Sequence, residues 1–230
     1  MTSLLIGCGN LGRIILNGFN SSKKKIVVLE KNRGVINELG KNYKNVKFIN
    51  SLNKVDLKKI NFILLCVKPQ DSKKILNEIK SLCNKSHTII SFIAGLQTHT
   101  ISKLVSSNCS IARIMPNIYI SSNNSSSAIF SKNKTLGFKN KITKEFKCFG
   151  SFVWLNDEKK MNFFTAMFGG GPAYFLYLIQ CFHKLIKKNG ISTNDSLSLL
   201  ISLLEGTLVQ LKSGNVNFNE FIKKVASPGG

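Results

Sequence analysis

The first 115 residues alternate short apolar runs with segments whose apolar side chains recur at helical spacing. The apolar runs fall at 4–6, 26–29, 46–49, 60–67, 88–92 and 110–115. The run at 60–67 is almost continuously apolar, which is typical of a central parallel strand covered on both faces. Strands that alternate with helices predict an α/β fold with a doubly wound parallel sheet.

The strand pattern ends near residue 156. Residues 128–130 and 152–155 are predicted as later edge strands, and the segments 172–189, 193–213 and 218–225 are predicted as helices. Thr193 is a candidate helix cap, and Gly190 and Gly214 are candidate helix terminators. We therefore predict a nucleotide-binding domain over residues 1–156 and a smaller, all-helical domain over residues 157–230.

One long uncharged segment covers residues 163–182, which is enough to span a bilayer as a helix. Gly169, Gly170, Gly171 and Pro172 interrupt it midway. We interpret this segment as two buried helices that meet at a glycine joint, and we expect no membrane partner.

A glycine-rich turn follows the first apolar run. Gly7, Gly9 and Gly12 form the pattern G-x-G-x-x-G between a short strand and an amphipathic segment. This order is typical of the first half of a dinucleotide-binding βαβ unit, in which the helix N-terminus faces a pyrophosphate. The turn therefore predicts a Rossmann-type domain.

The composition narrows the partners. The chain has 33 basic and 11 acidic residues, a formal net charge of +22. Only three of the basic residues are arginines, and the lysines are spread along the chain. Nucleic-acid binders usually concentrate arginine and aromatic side chains on one element. We therefore expect no nucleic-acid partner, and interpret the charge as a solvated surface that attracts anionic small molecules.

Cysteine and histidine usage indicates neither disulfides nor a metal site. The six cysteines contain no C-x-x-C pair, and the three histidines are scattered. The N-terminus also lacks the pattern of a signal peptide. We expect reduced thiols and a cytoplasmic protein.

Residues that could distinguish two cofactors follow the second apolar run. Glu30 lies 18 residues after Gly12, where a ribose-binding residue is expected. An acid there would bind the 2′-hydroxyl of NADH, whereas Lys31 and Arg33 would favour the 2′-phosphate of NADPH. The chain has both kinds of residue. Because two of them, Lys31 and Arg33, are basic, we predict NADPH and keep NADH as the alternative.

Six motifs together resemble one enzyme family. They are Gly-Cys-Gly-Asn-Leu-Gly at 7–12, Val-Lys-Pro at 67–69, Ala-Gly at 94–95, Arg-x-Met-Pro-Asn at 113–117, Gly-Gly-Gly-Pro-Ala-Tyr at 169–174 and Val-x-Ser-Pro-Gly-Gly at 225–230. In this order they resemble pyrroline-5-carboxylate reductase. The resemblance implies reduction of 1-pyrroline-5-carboxylate to L-proline with NAD(P)H, and a helical domain that forms a homodimer or a higher homo-oligomer.

The resemblance also implies site residues. Those that would bind the cofactor are Gly7, Gly9, Asn10, Leu11, Gly12, Lys31, Asn32, Arg33, Asn53, Val67, Lys68, Pro69, Ala94, Gly95 and Asn117. Those that would bind the imine substrate are Gly171, Pro172, Ser227, Pro228, Gly229 and Gly230. The family's hydroxyl residues would follow Gly230, so no catalytic side chain is assigned within the chain.

The chain departs from the family pattern in two motifs and at its end. Position 170 is glycine where the family has serine, and Ile118-Tyr119 replaces Thr-Pro. We expect a chain that is truncated relative to the family, with an incomplete helical domain. The alternatives are therefore an inactive nucleotide-binding protein of the same fold, or a β-hydroxyacid- or F420-type reductase, against which Ser-Pro-Gly-Gly argues.

Overall fold

A computed structural model of the protein describes residues 1–105, 109–214 and 216–226. The strands are β1 (Thr2–Ile6), β2 (Lys25–Leu29), β3 (Lys47–Ile49), β4 (Phe62–Leu65), β5 (Thr88–Ser91), β6 (Ser110–Met115), β7 (Ser125–Ser131) and β8 (Gly150–Trp154). The helices are α1 (Asn10–Ser21), α2 (Arg33–Asn42), α3 (Ser72–Lys80), α4 (Thr98–Leu104), α5 (Leu136–Phe146), α6 (Lys160–Phe164), α7 (Gly171–Lys188), α8 (Thr193–Lys212) and α9 (Phe218–Val225).

The strands form one sheet in the order β3-β2-β1-β4-β5-β6-β7-β8. The first six strands are parallel, β7 pairs antiparallel with β6, and β8 pairs parallel with β7. The chain reverses direction across the sheet between β1 and β4, which creates the switch point where such folds bind ligands. The prediction of a Rossmann-type, doubly wound sheet followed by a helical part is confirmed.

Helices cover both faces of this sheet, as the apolar strands require. Every residue of β4 and β5 is buried. Alternate residues of one strand enter opposite cores: Leu5 and Leu64 belong to one apolar cluster, whereas Leu4 and Ile63 belong to the other. The sheet is therefore covered on both sides, as expected for parallel strands joined by helices.

One prediction for the region after β6 was wrong, and one element there was missed. Residues 128–130 lie within β7, which is paired on both sides, so that of the two predicted edge strands β8 alone lies at an edge of the described sheet. The helix α5 was not predicted, although it carries part of the core. Its Phe146 makes edge-on aromatic contacts with Phe19, Phe62 and Phe92 at centroid distances of 5.7, 5.8 and 6.1 Å.

The uncharged segment 163–182 is interrupted where the glycines predict. A short π-helical turn, Thr165–Gly169, separates α6 from α7. The prediction that both helices are buried was wrong, since Phe163 on α6 is 66% exposed and Phe175 and Tyr177 on α7 are 68% and 69% exposed. Among the residues that the structure describes, no helix combines the length and apolar character needed to cross a bilayer.

The following helices agree with the predicted segments, with one change of cap. The side chain of Ser192, rather than that of Thr193, caps α8 by accepting a hydrogen bond from Asp195 N at 3.1 Å. The chain divides into two compact units, residues 1–172 and 173–230. The last strand ends at Trp154, close to the domain boundary predicted at residue 156. The two compact units divide at residue 172 instead, so the predicted boundary remains a prediction.

Candidate functional site

The glycine turn connects β1 to α1 at the switch point of the sheet. Gly7 has φ +89°, a conformation that favours glycine, and its N–H donates to Leu29 O at 2.9 Å. Gly9 is the N-cap residue of α1. The helix dipole and the free N–H groups in the first turn of α1 therefore favour the binding of an anion next to Gly9.

Two of the three glycines are required by close contacts. A Cβ on Gly7 would lie 2.9 Å from a methyl group of Val67, and a Cβ on Gly12 would lie 2.3 Å from Gly7 O. A Cβ on Gly9 would meet no protein atom within 4 Å. The space in front of Gly9 is therefore open to a ligand, whereas Gly12 allows α1 to pack against the turn.

Glu30 fixes the turn from the neighbouring strand. Its Oε2 accepts a hydrogen bond from Cys8 N at 2.8 Å, and its Oε1 accepts one from Asn32 N at 2.9 Å. Both carboxylate oxygens thus have backbone donors. The side chain at the expected ribose-binding position joins the glycine turn to the end of β2.

An open cleft of about 460 Å³ lies above this turn. Its lining includes predicted cofactor residues from three loops, namely Gly7, Gly9, Lys31, Val67 and Lys68. It also includes residues that were not predicted, among them Gln70 and Asp71 in the turn before α3, and Lys74 and Ile75 on α3. Their only signal in the sequence was their place directly after Val-Lys-Pro.

Two cysteines line the cleft and are protonated at neutral pH. Burial, reinforced by the nearby Glu30 carboxylate, raises the pKa of Cys8 to about 11. Burial also raises the pKa of Cys66 well above the ordinary value. Such thiols are poor nucleophiles at neutral pH, so neither cysteine is assigned a catalytic role.

The predicted residues beyond β2 occupy different positions. The Asn32 side chain caps α2 by accepting from Gly34 N at 2.8 Å. Arg33 lines a separate surface cavity next to β3. Asn53 is exposed in a short 3-10 turn, and it does not line the cleft above the glycine turn. The structure therefore brings Lys31 into this cleft and leaves Arg33 and Asn53 outside it.

The remaining predicted cofactor residues follow the strands β4 to β6 or begin α1. Pro69 starts the short turn that leads into α3, and Ala94 and Gly95 are exposed in the turn after β5, where Gly95 has φ +76°. Asn117 is buried after β6, and its Oδ1 accepts from Tyr119 N at 3.1 Å. Asn10 and Leu11 form the first turn of α1.

A largely buried ion pair joins β6 to the segment after β8. Arg113 Nη1 is 3.0 Å from Glu158 Oε1, and the Arg113 side chain is 3% exposed. Glu158 also accepts from both N and Oγ1 of Thr98, each at 2.8 Å. This network ties β6 and the start of α4 to the segment after β8.

The predicted substrate residues are only partly described. Gly171 and Pro172 are buried at the start of α7. Ser227, Pro228, Gly229 and Gly230 lie outside the described residues. In the parts of the chain that are described, no three His, Cys, Asp or Glu side chains are grouped so as to hold a metal ion.

Two family models match different parts of the chain. Residues 4–95 match the family described as NADP oxidoreductase, coenzyme F420-dependent. Residues 158–230 match the family described as pyrroline-5-carboxylate reductase dimerisation. The second match separates this chain from other reductases that share the N-terminal domain.

Relatives extend the similarity over the whole chain. Pyrroline-5-carboxylate reductase from Aquifex aeolicus is 27% identical over 98% of this chain and 84% of its own length. The enzyme of that name from Staphylococcus epidermidis is 25% identical over all of this chain and 86% of its own length. These matches support assignment of the chain to the pyrroline-5-carboxylate reductase family. The fold agrees, because the crystal structure of Plasmodium falciparum pyrroline carboxylate reductase with NADP bound matches with a TM-score of 0.84 at 23% identity, covering 100% of this chain and 86% of that one.

Proposed function

We propose that this pyrroline-5-carboxylate reductase family member reduces 1-pyrroline-5-carboxylate to L-proline with NADPH. The observation that carries the proposal is the pairing of a dinucleotide cleft at residues 4–95 with a C-terminal segment that matches the family's own dimerisation model. The relatives named for this reaction match nearly the whole chain, which does not favour the alternative of an inactive nucleotide-binding protein.

NADPH is favoured over NADH by the side chains at the end of β2. Each oxygen of Glu30 already accepts one backbone hydrogen bond, so this carboxylate is held at the glycine turn without a ribose hydroxyl as a partner. Lys31 and Lys68 in the cleft, with Lys74 on α3, supply positive charge for phosphate groups. The matched family model is of NADP-dependent enzymes, and one matched structure has NADP bound.

In the proposed mechanism, the chain's residues bind and orient. The open space at Gly9 and the first amides of α1 receive the pyrophosphate, and Val67, Lys68, Ala94 and Gly95 border the path towards the nicotinamide. When bound, the reduced nicotinamide supplies a hydride to the C=N carbon of the imine. Gly171 and Pro172 contribute to binding of the substrate. No described side chain is assigned as an acid, since orientation and electrostatics supply much of the rate in such reactions.

A second part of the proposal is that the protein acts as a homodimer or a higher homo-oligomer. Residues 158–230 match a dimerisation model. Large apolar side chains on α7 and α8 are exposed in the single chain, with Phe175, Tyr177 and Val209 at 68%, 69% and 70%. Apolar surface of this kind marks an interaction site.

The six cysteines all carry free thiols, which fits a reducing compartment, and we propose the cytoplasm as the location of the protein.

The decisive assay follows NADPH absorbance and the formation of L-proline in the presence of 1-pyrroline-5-carboxylate. We expect oxidation that depends on the imine, with one proline formed for each NADPH consumed. A Gly9→Ala variant is the matched control, because its Cβ meets no protein atom and its loss of activity would report on the cofactor path. Binding of NADPH without any proline would overturn the proposed reaction and establish the nucleotide-binding alternative.

A further inference from the structure

An ion pair beside the cleft joins the end of β2 to α3. Lys31 follows β2 and Glu78 lies on α3, with Lys31 Nζ 3.2 Å from Glu78 Oε1. Lys31 lines the 460 Å³ cleft above the glycine turn and also a neighbouring cavity of about 330 Å³, which Glu78 lines as well. Leu29 is common to both cavities. Lys31 and Leu29 therefore mark the region where the two cavities adjoin, which we call the passage.

Lys31 is the charged group best placed to meet a phosphate beside the end of β2. The preceding residue, Glu30, is held by two backbone donors, and Arg33 lines a different cavity. The Lys31 side chain is 57% exposed, and its four-carbon stem is flexible, so its ammonium group can turn to a new partner at a small cost in free energy. Its present partner is the carboxylate of Glu78.

We propose that Glu78 is a positioning residue that sets cofactor selectivity through Lys31. The proposal rests on the proposed use of a nicotinamide dinucleotide by this cleft. Glu78 holds Lys31 across the passage when no nucleotide is bound, and the 2′-phosphate of NADPH then replaces the Glu78 carboxylate as the partner of Lys31. NADH carries a 2′-hydroxyl in place of this phosphate and gains no such ion pair.

The Glu78 carboxylate therefore opposes NADPH in two ways. It competes for the Lys31 ammonium, and its negative charge repels the incoming phosphate. Exposed ion pairs are weak, so the competition is modest and falls as salt rises. The consequence is specific, because removal of the Glu78 charge favours the nucleotide that carries the 2′-phosphate over the one that lacks it.

The test is calorimetric titration of NADPH and of NADH into the full chain at low ionic strength. We expect Glu78→Gln to bind NADPH roughly 3- to 10-fold more tightly, with NADH changed by less than about 2-fold. Lys31→Met should weaken the binding of NADPH and leave the binding of NADH nearly unchanged. In the double variant, the gain from Glu78→Gln should shrink, since Lys31 is no longer there to be released.

Asp56→Asn is the matched control. It removes one carboxylate from an exposed ion pair with Lys59, also at 3.2 Å, and neither cavity is lined by Asp56. Asparagine retains the oxygen that accepts from Lys58 N, so the local turn is kept. We expect this variant to bind both nucleotides as the unmodified chain does.

The outcomes separate this inference from the proposed function. If Glu78→Gln changes the affinities for NADPH and NADH equally, or leaves the affinity for NADPH unchanged, the role of Glu78 is overturned while the reductase proposal stands. The same holds if the gain survives undiminished in the Lys31→Met background. An unmodified chain that binds neither nucleotide would instead remove the proposed function itself.

Discussion

Removal of the Glu158 carboxylate should destabilise the Rossmann unit strongly. The substitution Glu158→Ala leaves the Arg113 guanidinium buried without its partner, and Arg113 Nε already has no hydrogen-bond partner among the described residues. It also removes the acceptor of two hydrogen bonds from Thr98 at the start of α4. One small change therefore affects β6, α4 and the segment after β8 together.

The size of the effect follows from the burial of the pair. Breaking a buried ion pair on one side typically costs about 3–5 kcal/mol, because the remaining charge stays desolvated. Glu158 is 16% exposed, so water partly replaces the lost oxygens, and we expect a loss of about 3–4 kcal/mol. For a protein of this size the midpoint of thermal unfolding should fall by roughly 6–16 °C.

Urea unfolding followed by circular dichroism measures this loss. All variants are compared at one protein concentration, because self-association would also contribute to stability. Glu158→Gln keeps an acceptor for Thr98 and should lose less, about 2 kcal/mol. Asp56→Asn, in an exposed pair, should not change the unfolding midpoint measurably. A loss below about 1 kcal/mol for Glu158→Ala would refute the structural argument.

Three further changes test the turn, the cleft and the helical face. Gly12→Ala places a Cβ 2.3 Å from Gly7 O and should lower both the thermal midpoint and NADPH affinity, whereas Gly9→Ala should lower affinity alone; equal thermal losses in scanning calorimetry would contradict this. With its pKa raised from 9.0 to about 11, the Cys8 thiol should react with iodoacetamide at pH 8 roughly 100-fold more slowly than in the unfolded chain, as read by mass spectrometry of the labelled peptide. Because the folded chain favours the protonated thiol, its contribution to stability is complete below pH 9 and is lost as the pH rises towards 11. Phe175→Glu should reduce the sedimenting mass to that of a single chain, and an unchanged mass would exclude α7 from the interface.

The parallel part of the fold was predictable because its signals are local. The apolar runs at 26–29, 60–67, 88–92 and 110–115 became β2, β4, β5 and β6 with small changes at their ends. Strands covered on both faces need such runs, and the amphipathic segments between them need a sheet to cover. The glycine turn could be placed for the same reason, since its spacing and its flanking elements are all within one short segment.

The helix α5 was missed although its signals are also local. Phe138, Ile142 and Phe146 recur at intervals of four residues and are buried on one face. Thr135 caps the helix by accepting from Phe138 N at 3.4 Å. Three apolar residues among several lysines make only a narrow apolar stripe, which is easy to miss. The aliphatic stems of lysine cover further apolar surface, as shown by Lys141, whose Nζ lies 4.9 Å from the centroid of the Phe62 ring.

The polar contacts of the candidate site could not be predicted. Lys31 and Glu78 are 47 residues apart, and Arg113 and Glu158 are 45 apart. Each pair depends on which strands become neighbours in the sheet and on which helix faces them. No local pattern of charge carries that information, because a lysine or a glutamate at these positions is equally compatible with a solvated surface.

Glu30 shows how a correctly placed residue can have an unexpected role. An acid at the end of β2 selects NAD only if its oxygens are free to meet the ribose hydroxyls. Here the positive φ of Gly7 leaves Cys8 N pointing at one oxygen, and the chain after β2 brings Asn32 N to the other. Because each of its oxygens already accepts a backbone hydrogen bond, Glu30 stabilises the turn, and its charge also raises the pKa of Cys8. In our proposal, the choice between NADPH and NADH then depends on the next residue along the chain, Lys31, and on the Glu78 carboxylate on α3 with which it pairs.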